Sequence, residues 1–211
     1  MRRRAAWLMF IVAIGFALVL SYPYTSLDAD DSRLGVRGGT YYAVLVVHIF
    51  TAAVALVAGP LQFVAAVRAR RRTHRTLGRI YLLGGVLPAA LTAIPVALWS
   101  GRPLTQVGLT AAAVLWLVTG GLAYRAARRR DFVAHRDWMT RNYALTFLAV
   151  TSRILVPLLL LAWVPFGGPD AGSIGEHATS MIPIGQTLGW IINLLVAERL
   201  IRRRRTSDLQ F

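Results

Sequence analysis

The chain has no cysteine and no lysine, and its acids are scarce: nine Asp and Glu stand against 24 basic residues, every one an arginine. Without cysteine there is no disulfide, no thiolate metal site, no cysteine nucleophile and no covalent haem attachment through C-x-x-C-H. No carboxylate falls in the middle of an apolar run, which argues against a cation-coupled pump and leaves a small-molecule transporter as a secondary reading. No Ser-His-Asp set or H-E-x-x-H motif is present, so no catalytic residue is assigned and hydrolytic catalysis has little support. The stretch SLDADDSRLGVRGG (26–39) groups Asp28, Asp30 and Asp31 but lacks the later ligands of a calcium loop. It reads as a solvated connection, and no metal site beyond a haem iron is expected.

What the chain has in excess is apolar sequence, 56% hydrophobic with a mean hydropathy of +0.54, too apolar for a soluble domain of 211 residues. Six apolar runs stand out, at about 7–20, 41–67, 80–100, 104–124, 142–163 and 181–197. Most reach the roughly 20 residues that a helix rising about 1.5 Å per residue needs to cross about 30 Å of hydrocarbon. They are uniformly apolar, without the alternation of a barrel strand, and only closed barrels and helices satisfy every backbone group in lipid. The expected fold is an all-α polytopic membrane bundle of six transmembrane helices, one domain over 1–211, with short connections between antiparallel neighbours.

A net charge of +15 invites a nucleic-acid reading, but the positions of the arginines oppose it. Twenty of the 24 fall in four clusters, at 2–4, 68–79, 125–141 and 199–205, at alternate ends of successive runs and hence on one side of a bilayer. Arg33, Arg37 and Arg102 lie on the other side, and Arg153 lies within a run. The positive-inside rule makes the crowded side cytoplasmic, with both termini inside. MRRRAAWLMF could open a secretory signal, but bulky residues follow where a cleavage site needs small ones, so an uncleaved first helix is expected. The tail IRRRRTSDLQF reads as a topology anchor with a disordered end.

Two charged phrases resemble each other: THRTLGRIY (73–81) and AHRDWMTRNY (134–143) each set a His-Arg pair, an Arg and a Tyr ahead of an apolar run. Anchoring in anionic headgroups accounts for Arg75, Arg79, Tyr81, Arg136, Arg141 and Tyr143, at about 1 kcal/mol per basic residue. It does not account for the histidines. His74 and His135 fall at one depth near the cytoplasmic rim, and His48 and His177 lie toward the outer side, so the four divide into an inner and an outer pair. Haem b is held between neutral imidazoles on different helices, and this arrangement resembles the two-haem plan of cytochrome b561-like electron-transfer proteins. That resemblance implies a haem-binding electron carrier, with His48, His74, His135 and His177 as the ligands.

A second group surrounds Arg153, about 16 Å into the bilayer, where an arginine costs about 2.5–3.5 kcal/mol. His48, Thr51, Gln186 and Asn193 come to comparable depths by residue count. Together they suggest an outer-half polar pocket for a lipid, a quinone or a partner subunit, with Arg153 facing an anion or carbonyl. The alternative is an Arg153 that snorkels and bonds to carbonyls freed by Pro157. Gly59-Pro60 should kink the second run, with Gln62 serving that bend or contacting a ligand, and Pro88, Pro95 and Pro157 should add further bends.

VHIFTAAVALVAGPLQF (47–63), HRTLGRIY and HRDWMTRNYALTFLAVTSRIL (135–155) resemble an uncharacterised bacterial family of multi-span membrane proteins, the domain of unknown function 2306 type. The resemblance covers about 41–160 and implies a helical membrane fold in a bacterial cytoplasmic (inner) membrane. Membrane lipids, and a partner subunit or a second copy of the chain, are the expected partners. The resemblance implies no activity.

Overall fold

The computed structural model describes residues 3–28, 38–167 and 171–208, with the backbone alone described for 3, 164–167 and 171–178. Among the described residues all secondary structure is helical. Five helices there are long and apolar enough to cross a membrane, or six if the bent pair Phe132–Thr146 and Leu148–Trp163 forms one span. The contacts cluster into two compact units, Met1–Val96 and Ala97–Phe211.

The first unit contains α1 (Arg3–Ser21), α2 (Gly39–Leu61), the short α3 (Ala65–Ala69), α4 (Arg71–Arg79), a π-helical segment (Ile80–Val86) and the start of α5 (Leu87–Leu98). The segments from α4 to α5 run on as one candidate span, Arg71–Leu98. α2 packs against both α1 and the π segment. The fit is closest at Gly85, where an added Cβ would lie 2.8 Å from the Ala55 backbone nitrogen, so only glycine lets the two backbones approach. At the other end of α2, Tyr24, Tyr42 and Leu45 form a small core, and the Tyr42 hydroxyl donates to the Asp28 carbonyl at 2.8 Å.

Two expectations change here. The second run does not continue to 67 with a kink at Pro60, because α2 ends at Leu61 and Pro60 lies in its final turn. A proline there has no N–H to continue the helix ladder. The chain then tightens through three-residue hydrogen bonds, Gln62 N to Gly59 O and Phe63 N to Pro60 O, both 3.0 Å, before Val64 turns extended. The third run begins not at 80 but at Arg71, and its irregularity is the π widening at Ile80–Val86. That widening ends just ahead of Pro88, whose ring would clash with the Gly84 carbonyl in a regular helix.

The second unit contains α6 (Pro103–Arg128), α7 (Phe132–Thr146), α8 (Leu148–Gly167) and α9 (Ala171–Asp208). α7 pairs with α6, and α8 with α9, while α9 also packs on α6 and α7. The fifth run was expected to start at Asn142, but its helix starts at Phe132, where the Asp131 carboxylate caps the Ala134 amide at 2.9 Å. Counting apolar residues misses these nearly three turns of polar helix because Asp137 and Arg141 are paired inside the unit.

The bend in that span falls at Phe147, where α7 and α8 meet at 46°, not at Pro157. Asn193 of α9 accounts for it: its Nδ2 donates to the Ala144 carbonyl at 3.0 Å and its Oδ1 accepts from Thr151 Oγ1 at 2.9 Å, one bond on each side of the break. A side chain inserted in the backbone ladder is an established cause of kinks. α9 stays helical through the tail's arginines to Asp208, and the last three residues, on which the expected disordered end falls, lie outside the described residues.

Candidate functional site

His48, in the middle of α2, places its ring against α5 with Nδ1 2.9 Å from the Ala89 carbonyl. A carbonyl only accepts, so Nδ1 carries the proton of this bond. Ala89 lies just past the π segment, so the histidine is set at a seam where the helix geometry is widened. His135, early in α7, repeats the arrangement in the second unit, with Nδ1 2.9 Å from the Ala123 carbonyl of α6. A histidine whose Nδ1–H is held by a backbone carbonyl is the form found among metal-ligating imidazoles. His74 is half-buried on α4. The side chain of His177 lies outside the described residues, and its backbone lies within α9, which begins at Ala171.

The residues expected around a pocket have different surroundings. Thr51 donates to its own helix, to the Val47 carbonyl at 2.6 Å. Gln186 accepts from Thr105 Oγ1 at 3.3 Å, joining α9 to α6, and Asn193 bridges the break described above. Arg153 is exposed on α8, and its Nη1 donates to the Ala149 carbonyl one turn earlier at 2.8 Å. That bond is to the Ala149 carbonyl and not to its own, the one expected to be freed by Pro157.

Gln62 stands apart. It is 5% exposed at the end of α2, and its Nε2 is buried with no hydrogen-bond partner. Its Oε1 faces Gly78 of α4, where an added Cβ would lie 3.6 Å away, an ordinary contact.

The expected headgroup anchors also separate. Arg75 and Arg79 are exposed as anchoring requires. Tyr81 and Tyr143 are 0% and 4% exposed, so their rings are packing elements inside their units and not rings at a lipid surface. Arg141 is engaged by Glu198, with Nε and Nη2 at 2.5 and 3.1 Å from its two oxygens, and its guanidinium lies 4.6 Å from the Trp138 ring centroid.

Sequence reasoning missed a buried polar network in the second unit. Asn142, fully buried, donates Nδ2 to the Trp116 carbonyl at 2.7 Å and to Thr119 Oγ1 at 2.9 Å. Trp116 Nε1 donates to Thr146 Oγ1 at 2.9 Å, and Thr146 donates back to the Asn142 carbonyl at 3.1 Å. Nearby, Asp137 is 2% exposed and accepts from Arg205 Nη2 at 2.7 Å. The available signal was the polar density of HRDWMTRN ahead of an apolar run, which an anchoring role does not need.

A family model described as "Predicted membrane protein (DUF2306)" matches residues 45–201. The chain belongs to this family. The match takes in His48, Gln62, both His-Arg phrases, the α7–α8 break and Asn193. With the apolar helices, membership makes this a membrane protein. No curated protein and no solved structure matches the chain.

Proposed function

We propose that this DUF2306 protein is a multi-pass component of the bacterial cytoplasmic membrane, its arginine-rich helix ends and both termini cytoplasmic, and that it binds a lipid or quinone without transforming it. The topology rests on the one-sided arginine clusters. The binding reading rests on His48: its Nδ1 bond to Ala89 fixes the ring beside a π-helical segment, a feature that recurs at functional sites. The site proposed is the seam of α2 with the π segment and α5, inside the first unit. Arg153, exposed on α8, is proposed to meet a ligand anion or a partner subunit.

The test is extraction and mass spectrometry of what co-purifies with the protein and with His48→Ala. A defined lipid or quinone present in the first sample and lost in the second supports the reading, and identical extracts refute it.

A second reading, a b-type haem electron carrier, is favoured by the matching Nδ1–carbonyl bonds of His48 and His135, an orientation that metal-ligating imidazoles share. The oxidised and dithionite-reduced spectrum decides it. A Soret band with sharp reduced α-bands that disappears in His48→Ala or His135→Ala supports haem, and a featureless spectrum after expression with ample haem excludes it.

A further inference from the structure

We propose that Gln62 is the recognition donor of a phosphate-binding site at the arginine-rich end of the first unit, and that it takes the headgroup phosphate of an anionic phospholipid. The inference is independent of the His48 reading, since Gln62 lies fourteen residues further along the chain, just past the end of α2 and about 21 Å away at the helical rise.

Three observations carry it. Gln62 is 5% exposed and its Nε2 has no partner, and a buried amide donor is normally satisfied by protein, water or ligand. Gly78 stands opposite the amide with no side chain, 3.6 Å from Oε1 at the nearest Cβ position. The terminal torsion of a glutamine is broad and roughly two-fold, so a half-turn brings Nε2 to the side where Gly78 leaves room. Finally, the acceptor that suits this donor is an anion. Residues 62–79 contain Arg68, Arg70, Arg71, Arg72, Arg75 and Arg79, all exposed, and no acid.

Gln62 follows directly on the last turn of α2, where an apolar span gives way to that arginine cluster. This is the level at which a phospholipid carries its phosphate, with acyl chains along the span and the charge among guanidiniums that bind phosphate as a fork. Free phosphate offers the same group without the chains.

The test is thermal unfolding of the full-length protein in a non-ionic detergent, alone and with phosphatidylglycerol, diacylglycerol or inorganic phosphate. The expected result is a Tm rise of several degrees with phosphatidylglycerol and none with diacylglycerol. Gln62→Leu should lose that rise while unfolding, without lipid, no lower than the wild type, because the substitution removes an unsatisfied amide. Gly78→Met should lose the rise by filling the space opposite. If inorganic phosphate reproduces the rise, the phosphate site stands and its source is a free anion. A Gln62→Leu protein that keeps the full response to phosphatidylglycerol overturns the proposal, as does a wild type that responds no more to phosphatidylglycerol and phosphate than to diacylglycerol.

Discussion

The two His-Arg phrases start from nearly the same residues and end in different interiors. In the first, the position four after the histidine is Gly78 and the position seven after it, back on the same helical face, is Tyr81. In the second, the same two positions are Met139 and Asn142. Tyr81 and Asn142 are both fully buried, so each phrase turns this face inward. The second unit fills the space with methionine and satisfies its amide on Trp116 and Thr119, whereas the first leaves glycine beside a glutamine whose donor has no partner. Other buried donors without partners occur in the second unit, on Thr110, Thr187 and Trp190, but those residues are only half-buried. The contrast separates polar residues that hold helices together from one that has no such task.

The largest expected effect tests the helix seam that sets the first unit apart. In Gly85→Val the new Cβ would sit 2.8 Å from the Ala55 backbone nitrogen, and since backbone cannot yield as a side chain can, the protein should lose at least about 1–3 kcal/mol. Gly84, its neighbour in the same π segment, has nothing within 4 Å of an added Cβ, so Gly84→Val is the matched control and should unfold near the wild-type temperature. Equal losses in the two variants would mean that valine harms the π segment itself and not its approach to α2.

Next comes the same change made at the two buried amides. Asn142→Leu removes a donor with two partners and leaves Trp116 and Thr119 facing an apolar side chain, a loss of about 1–3 kcal/mol. Gln62→Leu removes a donor with none and should be neutral or stabilising by up to about 1 kcal/mol in lipid-free detergent. Thermal melts of both variants side by side give the sign, and a loss at Gln62 as large as that at Asn142 would erase the distinction between the units.

The helical membrane fold was legible because hydropathy reports what lies in lipid, and the family resemblance rested on blocks that the family model also covers. Helix ends were less legible. Hydropathy stops at the first charge, yet α7 starts ten residues before Asn142 and α9 runs through its arginines to Asp208, because Asp137 and Glu198 pair with Arg205 and Arg141 inside the unit. Proline was a poor guide to bending, since Pro60 ends a helix and the real break at Phe147 is set by an asparagine on another helix, a contact that no local pattern announces. The sequence places Gln62 either at the Pro60 bend or against a ligand, and its missing partner could be seen only once the surrounding helices were placed.

A smaller effect is expected at that break. Asn193→Ala removes one hydrogen bond on each side of Phe147, and with typical net values the loss is about 1–2 kcal/mol. The more telling readout is the angle. Spin labels on the exposed faces of α7 and α8 should report a change in the separation set by the 46° bend, because the amide that holds the Ala144 carbonyl is gone. An unchanged separation would mean that the bend belongs to the α7–α8 sequence and that Asn193 merely fills it.

The smallest effect tests how firmly the second unit's charges are held. Arg205 is 60% exposed while its partner Asp137 is 2% exposed, so Arg205→Ala leaves a carboxylate in the interior with only its remaining surroundings to solvate it. A fully buried pair broken this way costs about 3–5 kcal/mol, but an arginine so open to water is already screened, which brings the expected loss to about 1 kcal/mol. Asp137→Asn in the same chain should recover most of it, because the interior then holds a neutral amide of the same shape. Melts of the single and double variants at low and high salt check this: the single variant's loss should shrink as salt weakens the wild-type pair, and the double variant's stability should barely respond. If the double variant is no better than the single one, the cost lies in the packing of the arginine stem along α7, and charge pairing is not what keeps this end of α9 helical.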